Sequence, residues 1–260
     1  YIMKFHIFGT CEGTEPIPGR KHVSLALEHE GRLYWFDAGE GCSRSAHLMG
    51  LDLLAVRAIF ITHPHMDHVG GLGNLLWNIR KMVWVKKADP YDGAVDLITP
   101  SLRSWEGLRI LLGETEGNFR CSFQLNVTRT ETGTVWDKYG VKVEAIPNTH
   151  LPPDADGHPV SYSYRVKCGG KTAVLSGDVG SYDDLAPFLE EGCDALFAET
   201  GHHDSSTVAE FLKERGWNIG TLCYIHNGRD ILRGRDAAME KLLAIRDRVI
   251  ICEDDTTIEI

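Results

Sequence analysis

The segment Ile61-Thr62-His63-Pro64-His65-Met66-Asp67-His68-Val69-Gly70-Gly71-Leu72 limits the folds open to this chain more than any other stretch. Three imidazoles and a carboxylate fall within six residues. They directly follow Arg57 to Thr62, an apolar run that reads as a strand covered on both faces. In extended backbone, residues two apart point the same way, so His63 and His65 can converge on one ion. Asp67 and His68 follow at the turn into a helix and can face a second ion beside the first. Neutral imidazole and carboxylate suit zinc, manganese or iron. A site of nitrogen and oxygen ligands with open positions is hydrolytic in character, whereas a closed structural zinc site would use cysteines.

Two ions need more ligands than this segment holds, and further candidates end later apolar runs. His150 closes Val141 to Thr149, Asp178 closes Leu175-Ser176-Gly177, and His226 closes Leu222 to Ile225. Singly, each reads equally well as an incidental polar group at a strand end. Jointly, they sit where a sheet edge presents side chains to a common cleft.

The rest of the pattern is alternating. Lys4 to Phe8, Val23 to His29 and Arg32 to Phe36 read as strands, with a tight turn at Glu30-Gly31. The spacing predicts helices over Val69 to Arg80 and Leu102 to Leu112, then strands over Ser122 to Thr130 and Val141 to Ile146. The second half predicts strands at Val160 to Val166, Thr172 to Leu175, Ala195 to Ala198 and Leu222 to Ile225. Helices are predicted at Tyr182 to Glu190, Ser206 to Arg215 and Arg235 to Arg246. The stripe Ala237, Ala238, Leu242, Leu243 and Ile245 reads as core packing of an amphipathic helix. Hairpins first and β-α alternation later imply an α/β fold of sheets with helices outside them. No interdomain linker is visible, so 1–260 is expected to form a single domain.

Lys plus Arg is 27 and Asp plus Glu is 37, a net charge of −10, which argues against a bulk basic surface for nucleic acid. The seven cysteines are scattered and contain no CxxC pair. That excludes a thiolate cluster and fits a reducing, cytoplasmic setting. Apolar runs are strand-sized, so no membrane span is expected. The opening Tyr1-Ile2-Met3-Lys4-Phe5 enters a strand pattern without the n-region and h-region of a secretory leader, and a start without Met reads as a trimmed end, with Met3 as a candidate natural start.

HxHxDH followed by His, then Gly-Asp, then His resembles the metallo-β-lactamase superfamily, from Gly9 to about His226. The resemblance implies a four-layer αββα sandwich with two mixed sheets between helices. It also implies a pair of divalent ions, zinc foremost, with manganese or iron as alternatives. By the same resemblance His63, His65 and His150 hold one ion, Asp67, His68 and His226 hold the other, and Asp178 bridges them. Asp67 is a candidate proton acceptor as well. Asp37, at the end of Trp35-Phe36-Asp37, is expected to orient a ligand imidazole, the alternative being a cap on the next helix.

Gly9-Thr10, Asp37-Ala38-Gly39-Glu40-Gly41 and Gly71-Leu72 look like the tRNase Z branch of that superfamily, in which dimers are frequent. Glu199 partly matches that branch's HEAT segment, although Ala198 stands at the histidine position. His203 sits near its His-Ser-Thr motif and is the expected proton donor to the leaving group, if it rather than His202 reaches the cleft. One departure counts against tRNA. Only 27 residues separate His150 from Asp178, too few for the basic arm that grips tRNA in that branch. Arg80, Lys81, Lys86 and Lys87 with Trp77 and Trp84 could bind phosphate or stack a base, but read first as a solvated helix end. The sequence therefore favours a phosphodiesterase acting on a nucleotide or cyclic phosphodiester. The alternatives are a tRNA 3′-processing endonuclease, a lactone or thioester hydrolase, and a metal-binding sensor module.

Overall fold

The computed structural model describes residues 2–260; Tyr1 lies outside them. A first sheet contains β1 (Lys4–Gly9), β2 (Ser24–His29), β3 (Arg32–Phe36), β4 (Val56–Phe60), β5 (Ala94–Thr99) and β6 (Gln124–Arg129). Strands β1 to β3 pair antiparallel, and β3 to β6 pair parallel. The second sheet contains β7 (Gly133–Lys138), β8 (Val141–Pro147), β9 (Tyr162–Cys168), β10 (Lys171–Leu175), β11 (Cys193–Glu199), β12 (Ile219–Ile225) and β13 (Val249–Ile251). Finally β14 (Thr256–Glu259) returns to the first sheet and pairs with β1. The hairpin between β2 and β3 turns on Glu30 and Gly31, both at positive φ, the conformation that a tight two-residue hairpin demands.

Outside the first sheet lie α1 (Cys42–Leu48), α2 (Met66–Val69), α3 (Leu72–Lys86) and α4 (Leu102–Gly113). Outside the second lie α5 (Ala186–Leu189), α6 (Ser205–Arg215) and α7 (Arg229–Ile245). Three apolar layers glue the sandwich. Phe5, Phe36, Phe60, Tyr164, Val166 and Phe197 meet between the two sheets. Trp35, Ile59 and Ile61 face the other way, onto Leu72, Leu75, Leu76 and Ile79 of the α3 segment. Leu196, Leu222 and Tyr224 pack on Leu212, Ile231 and Leu242 of α6 and α7. Residues of β4 thus serve two cores, which explains why all of them but Arg57 are apolar. This is the metallo-β-lactamase sandwich that the resemblance implied, with two mixed sheets between helical layers.

Several elements differ from the sequence reading. The helix expected over Val69 to Arg80 is split at Gly70-Gly71 into α2 and α3, and α3 runs on to Lys86. Gly71 has to stay small, because a Cβ there would lie 2.1 Å from the Gly39 carbonyl oxygen. Tyr182 to Glu190 is a 3-10 turn (Tyr182–Leu185) followed by the short α5. Helix α7 begins at Arg229 rather than Arg235, with Gly234 non-helical inside it. In its expected apolar stripe only Ala238 and Leu242 are buried, while Leu243 is half exposed. Strand β5 escaped notice because Asp96 interrupts it; that carboxylate accepts a 2.5 Å hydrogen bond from the buried Arg57. No helix among the described residues is long and apolar enough to cross a membrane.

Candidate metal centre

Each sequence-predicted ligand lies just beyond the C-terminal end of a strand: His63 to His68 after β4, His150 after β8, Asp178 after β10 and His226 after β12. The two sheets therefore open onto one cleft. Donor atoms of His63, His65, His150 and Asp178 form one group, and those of Asp67, His68, Asp178 and His226 a second, each within 4.8 Å of one another. Asp178 joins them through its two oxygens. Its Oδ2 lies 3.6 Å from His63 Nε2 and 3.7 Å from His150 Nε2. Its Oδ1 lies 3.3 Å from His68 Nε2 and 3.4 Å from His226 Nδ1. Asp67 completes the second group, its Oδ2 lying 3.0 Å from His226 Nε2 and 3.3 Å from His68 Nε2.

Behind the ligands a buried network sets which ring nitrogen faces inward. Asp37 Oδ1 accepts from the Thr62 backbone N–H at 2.8 Å, and Oδ2 accepts from the Thr62 hydroxyl at 2.8 Å. The same Oδ2 lies 2.7 Å from His68 Nδ1. Thr62 Oγ1 in turn lies 3.0 Å from His63 Nδ1. Both rings are thus engaged through Nδ1, which turns Nε2 toward the cleft. Asp37 does not cap α1, whose N-cap is Gly41. Asp37 and His226 both hold positive φ, 53° and 52°, a backbone state that non-glycine residues adopt at a cost. Close approach matters too. A Cβ on Gly13 would sit 2.9 Å from the Asp67 carboxylate carbon.

The fit of the donor set to cations shows in its buried polar atoms that lack a partner. His63 Nε2, His68 Nε2, Asp178 Oδ1 and His226 Nδ1 are buried and make no hydrogen bond, and all four converge on the cleft. Unpaired buried polar atoms are costly, and divalent ions would satisfy all four. Charge follows the same logic. Burial drives His63 well below its ordinary value and keeps it neutral, as a ligand must be. Burial also opposes charge on Asp178, but His226 and His68 outweigh it and hold the carboxyl well below its usual range. Burial opposes charge on His68 too, and there Asp178 and Asp37 prevail and raise its value, so a cation at Nε2 would take the place of that proton.

The two adjacent histidines lie in different surroundings. His203 is turned from the cleft, its Nε2 donating to the Val179 carbonyl at 2.9 Å and its ring packed edge-on against Tyr182. His202 reaches the site instead. Its ring centre lies 4.8 Å from that of His150 and 5.7 Å from that of His226. The reason is local. Glu199, fully buried at the end of β11, accepts the His202 backbone N–H at 3.0 Å and the ring Nδ1 at 3.2 Å. That folds the loop so that His202 overlies the carboxylate. The hydrogen bond to Glu199 pushes His202 up to about 9, so the ring carries its proton at neutral pH.

A family model described as anti-Pycsar protein Apyc1 matches residues 3–213. The chain belongs to that family. Among curated proteins, this Apyc1-family chain is 28% identical over 184 residues to ribonuclease Z of Mycobacterium marinum, a match covering 66% of this chain and 62% of that protein. It thus spans less than two thirds of that relative's length. Human tRNase Z, short form, superposes with a TM-score of 0.71 at 20% identity over 98% of both chains. The metallo-β-lactamase fold protein YhfI of Bacillus subtilis superposes with 0.69 at 16% identity over the whole of both. These likenesses identify the fold.

Proposed function

We propose that this Apyc1-family chain is a binuclear metal-dependent hydrolase, and that it cleaves a phosphodiester bond in a nucleotide or cyclic phosphodiester. One observation carries the reading: two groups of donors share Asp178, and unpaired buried nitrogen and oxygen atoms from three strand ends aim at the space between them. Two divalent ions, zinc foremost, would bring a shared water's pKa toward neutrality and draw charge from a phosphoryl oxygen. His63, His65 and His150 would hold one ion, Asp67, His68 and His226 the other, with Asp178 between them. Asp67, bonded to His68 and His226, serves as ligand ahead of any role as proton acceptor.

His202 supplies the proton for the departing oxygen. Its Nδ1–H is engaged by Glu199, which fixes the ring and stabilises its charge, so Nε2–H remains to be donated. Glu199 itself is fully buried and anchored by the Val179 backbone N–H at 3.3 Å.

The ribonuclease Z relatives favour a second reading, intact tRNA. Against it stands the short stretch between His150 and Asp178, which consists of a loop and the β9–β10 hairpin with no basic arm. The two readings share the chemistry and differ in substrate size. Metal quantification on the purified chain, alongside a panel of bis-nitrophenyl phosphate, cyclic nucleotides, precursor tRNA and lactones, tests both. Two ions per chain with turnover of small phosphodiesters is the expected result. Activity confined to lactones, or a fully metallated but inert protein that acts as a sensor, would overturn it.

A further inference from the structure

One flank of the cleft is closed by the segment that follows β1. Its backbone is tied beside His226: Asn227 N–H donates to the Thr10 carbonyl at 2.6 Å, and Glu12 N–H donates to the Asn227 carbonyl at 3.2 Å. Further along, Thr14 and Glu15 meet Arg229, the first residue of α7 and the third after His226. The guanidinium makes a two-point contact with the Glu15 carboxylate, at 2.8 and 3.2 Å, and donates to Thr14 Oγ1 at 2.9 Å. Both side chains of this ion pair are about half exposed, 47% and 60%, and a pair so open to water adds little to stability. The arginine is held, but weakly.

On its other side Arg229 lines a groove of about 350 Å³ between the start of α6 and α7, shared with Arg233, Lys241 and Ser206. Arg229, Arg233, Ala237 and Lys241 all line it, on either side of the break in α7 at Gly234. Ala237 and Gly234 among them leave the groove open. Its two acidic walls are already engaged: Asp204 accepts from the Thr207 N–H at 3.0 Å, and Asp230 accepts from the Ser205 N–H at 2.9 Å. With three basic side chains against two carboxylates in a chain of net charge −10, a groove that begins at Arg229, three residues beyond His226, offers an acidic ligand an approach.

We propose that Arg229 determines specificity by gripping a phosphoryl oxygen of the substrate, and that Glu15 is the internal carboxylate exchanged for it. The inference rests on the reading of the cleft as a phosphodiester site. A guanidinium fork matches phosphate as well as it matches carboxylate, so the exchange conserves hydrogen bonds and charge pairing. Glu15, as a carboxylate, is charged and competes throughout the neutral range.

Substitutions at the two positions break the same ion pair, which makes the test decisive. A purely structural bridge would move both variants in one direction; exchange moves them in opposite directions. In the metal-loaded chain acting on bis-nitrophenyl phosphate, Arg229→Gln should raise KM about tenfold with kcat within about twofold. Glu15→Gln should lower KM roughly threefold, and should do nothing further in the Arg229→Gln background. Arg229→Lys, which keeps the charge but loses the fork, should fall between. Calorimetric titration with inorganic phosphate should rank the variants in the same order without turnover, and matched melting curves show that each is folded. Shifts of the same sign, or none, in the phosphate titration overturn the proposal. A wild-type chain that binds phosphate with opposite-signed shifts but cleaves no phosphodiester would sink the proposed activity and leave the anion site standing.

Discussion

Asp37 Oδ2 lies 2.7 Å from His68 Nδ1, deep behind the candidate metal centre, in a residue whose own backbone is held at φ 53°. The carboxylate fixes which nitrogen of His68 faces the cleft and raises the ring's basicity. Asp37→Ala is therefore expected to weaken metal binding about 10- to 100-fold with the fold retained. Competition against a chelator of known affinity measures it, and an unchanged affinity would remove Asp37 from the site.

Asp178 is shared by both groups of donors, so its loss should damage both. Asp178→Ala should bring metal content below two ions per chain and reduce turnover by about 100-fold or more. Elemental analysis beside steady-state kinetics reads both. Two retained ions and an unchanged rate would refute the bridging role.

His202 and His203 adjoin in sequence but face different surroundings, and their variants should separate accordingly. His202→Ala is expected to lower kcat by about 100-fold or more with metal content preserved. His203→Ala, which loses one bond to the Val179 carbonyl, should cost stability on the order of 1 kcal/mol and leave kcat within a few-fold. Equal losses of kcat in both variants would return the proton donor to doubt.

Glu144 offers a test of the frame rather than the site. It accepts from Arg165 Nε at 2.9 Å, with Lys142 and Lys167 each within 3.7 Å. Burial opposes its charge, but Arg165 and the lysines more than offset this and hold the carboxyl below its usual value. A depressed folded-state value means that the stabilisation is complete above the unfolded-state value, about 4.3. It is lost as pH falls through the lower folded-state value. Glu144→Gln should cost about 1–3 kcal/mol at pH 7 and reduce the drop in stability below about pH 4. Urea melts across that range measure it; parallel wild-type and variant curves would be the contrary result.

The cluster of candidate ligands was legible because its signal is dense: HxHxDH after a buried strand leaves little freedom, and the later strand ends supply single polar residues in order. The α/β layering was legible for a related reason, since β4 carries apolar residues for two cores at once. What escaped depends on tertiary partners. Asp96 hides β5 until its bond to Arg57 is seen, and β13 and β14 are too short for any periodicity to register. The choice between His202 and His203 could not be read from spacing. It is decided by Glu199, buried three residues upstream, which captures the backbone and ring of one and leaves the other to Val179. Likewise, Gly234 concealed the first turn of α7 and with it the position of Arg229 beside Glu15.

Donors of each group come from both halves of the sandwich, His63 and His65 from the first sheet and His150 and Asp178 from the second. Neither half holds a complete donor group, so under the proposed reading cation uptake would follow the docking of the two halves. A stopped-flow record of metal binding would act as a clock for the final assembly of the two sheets.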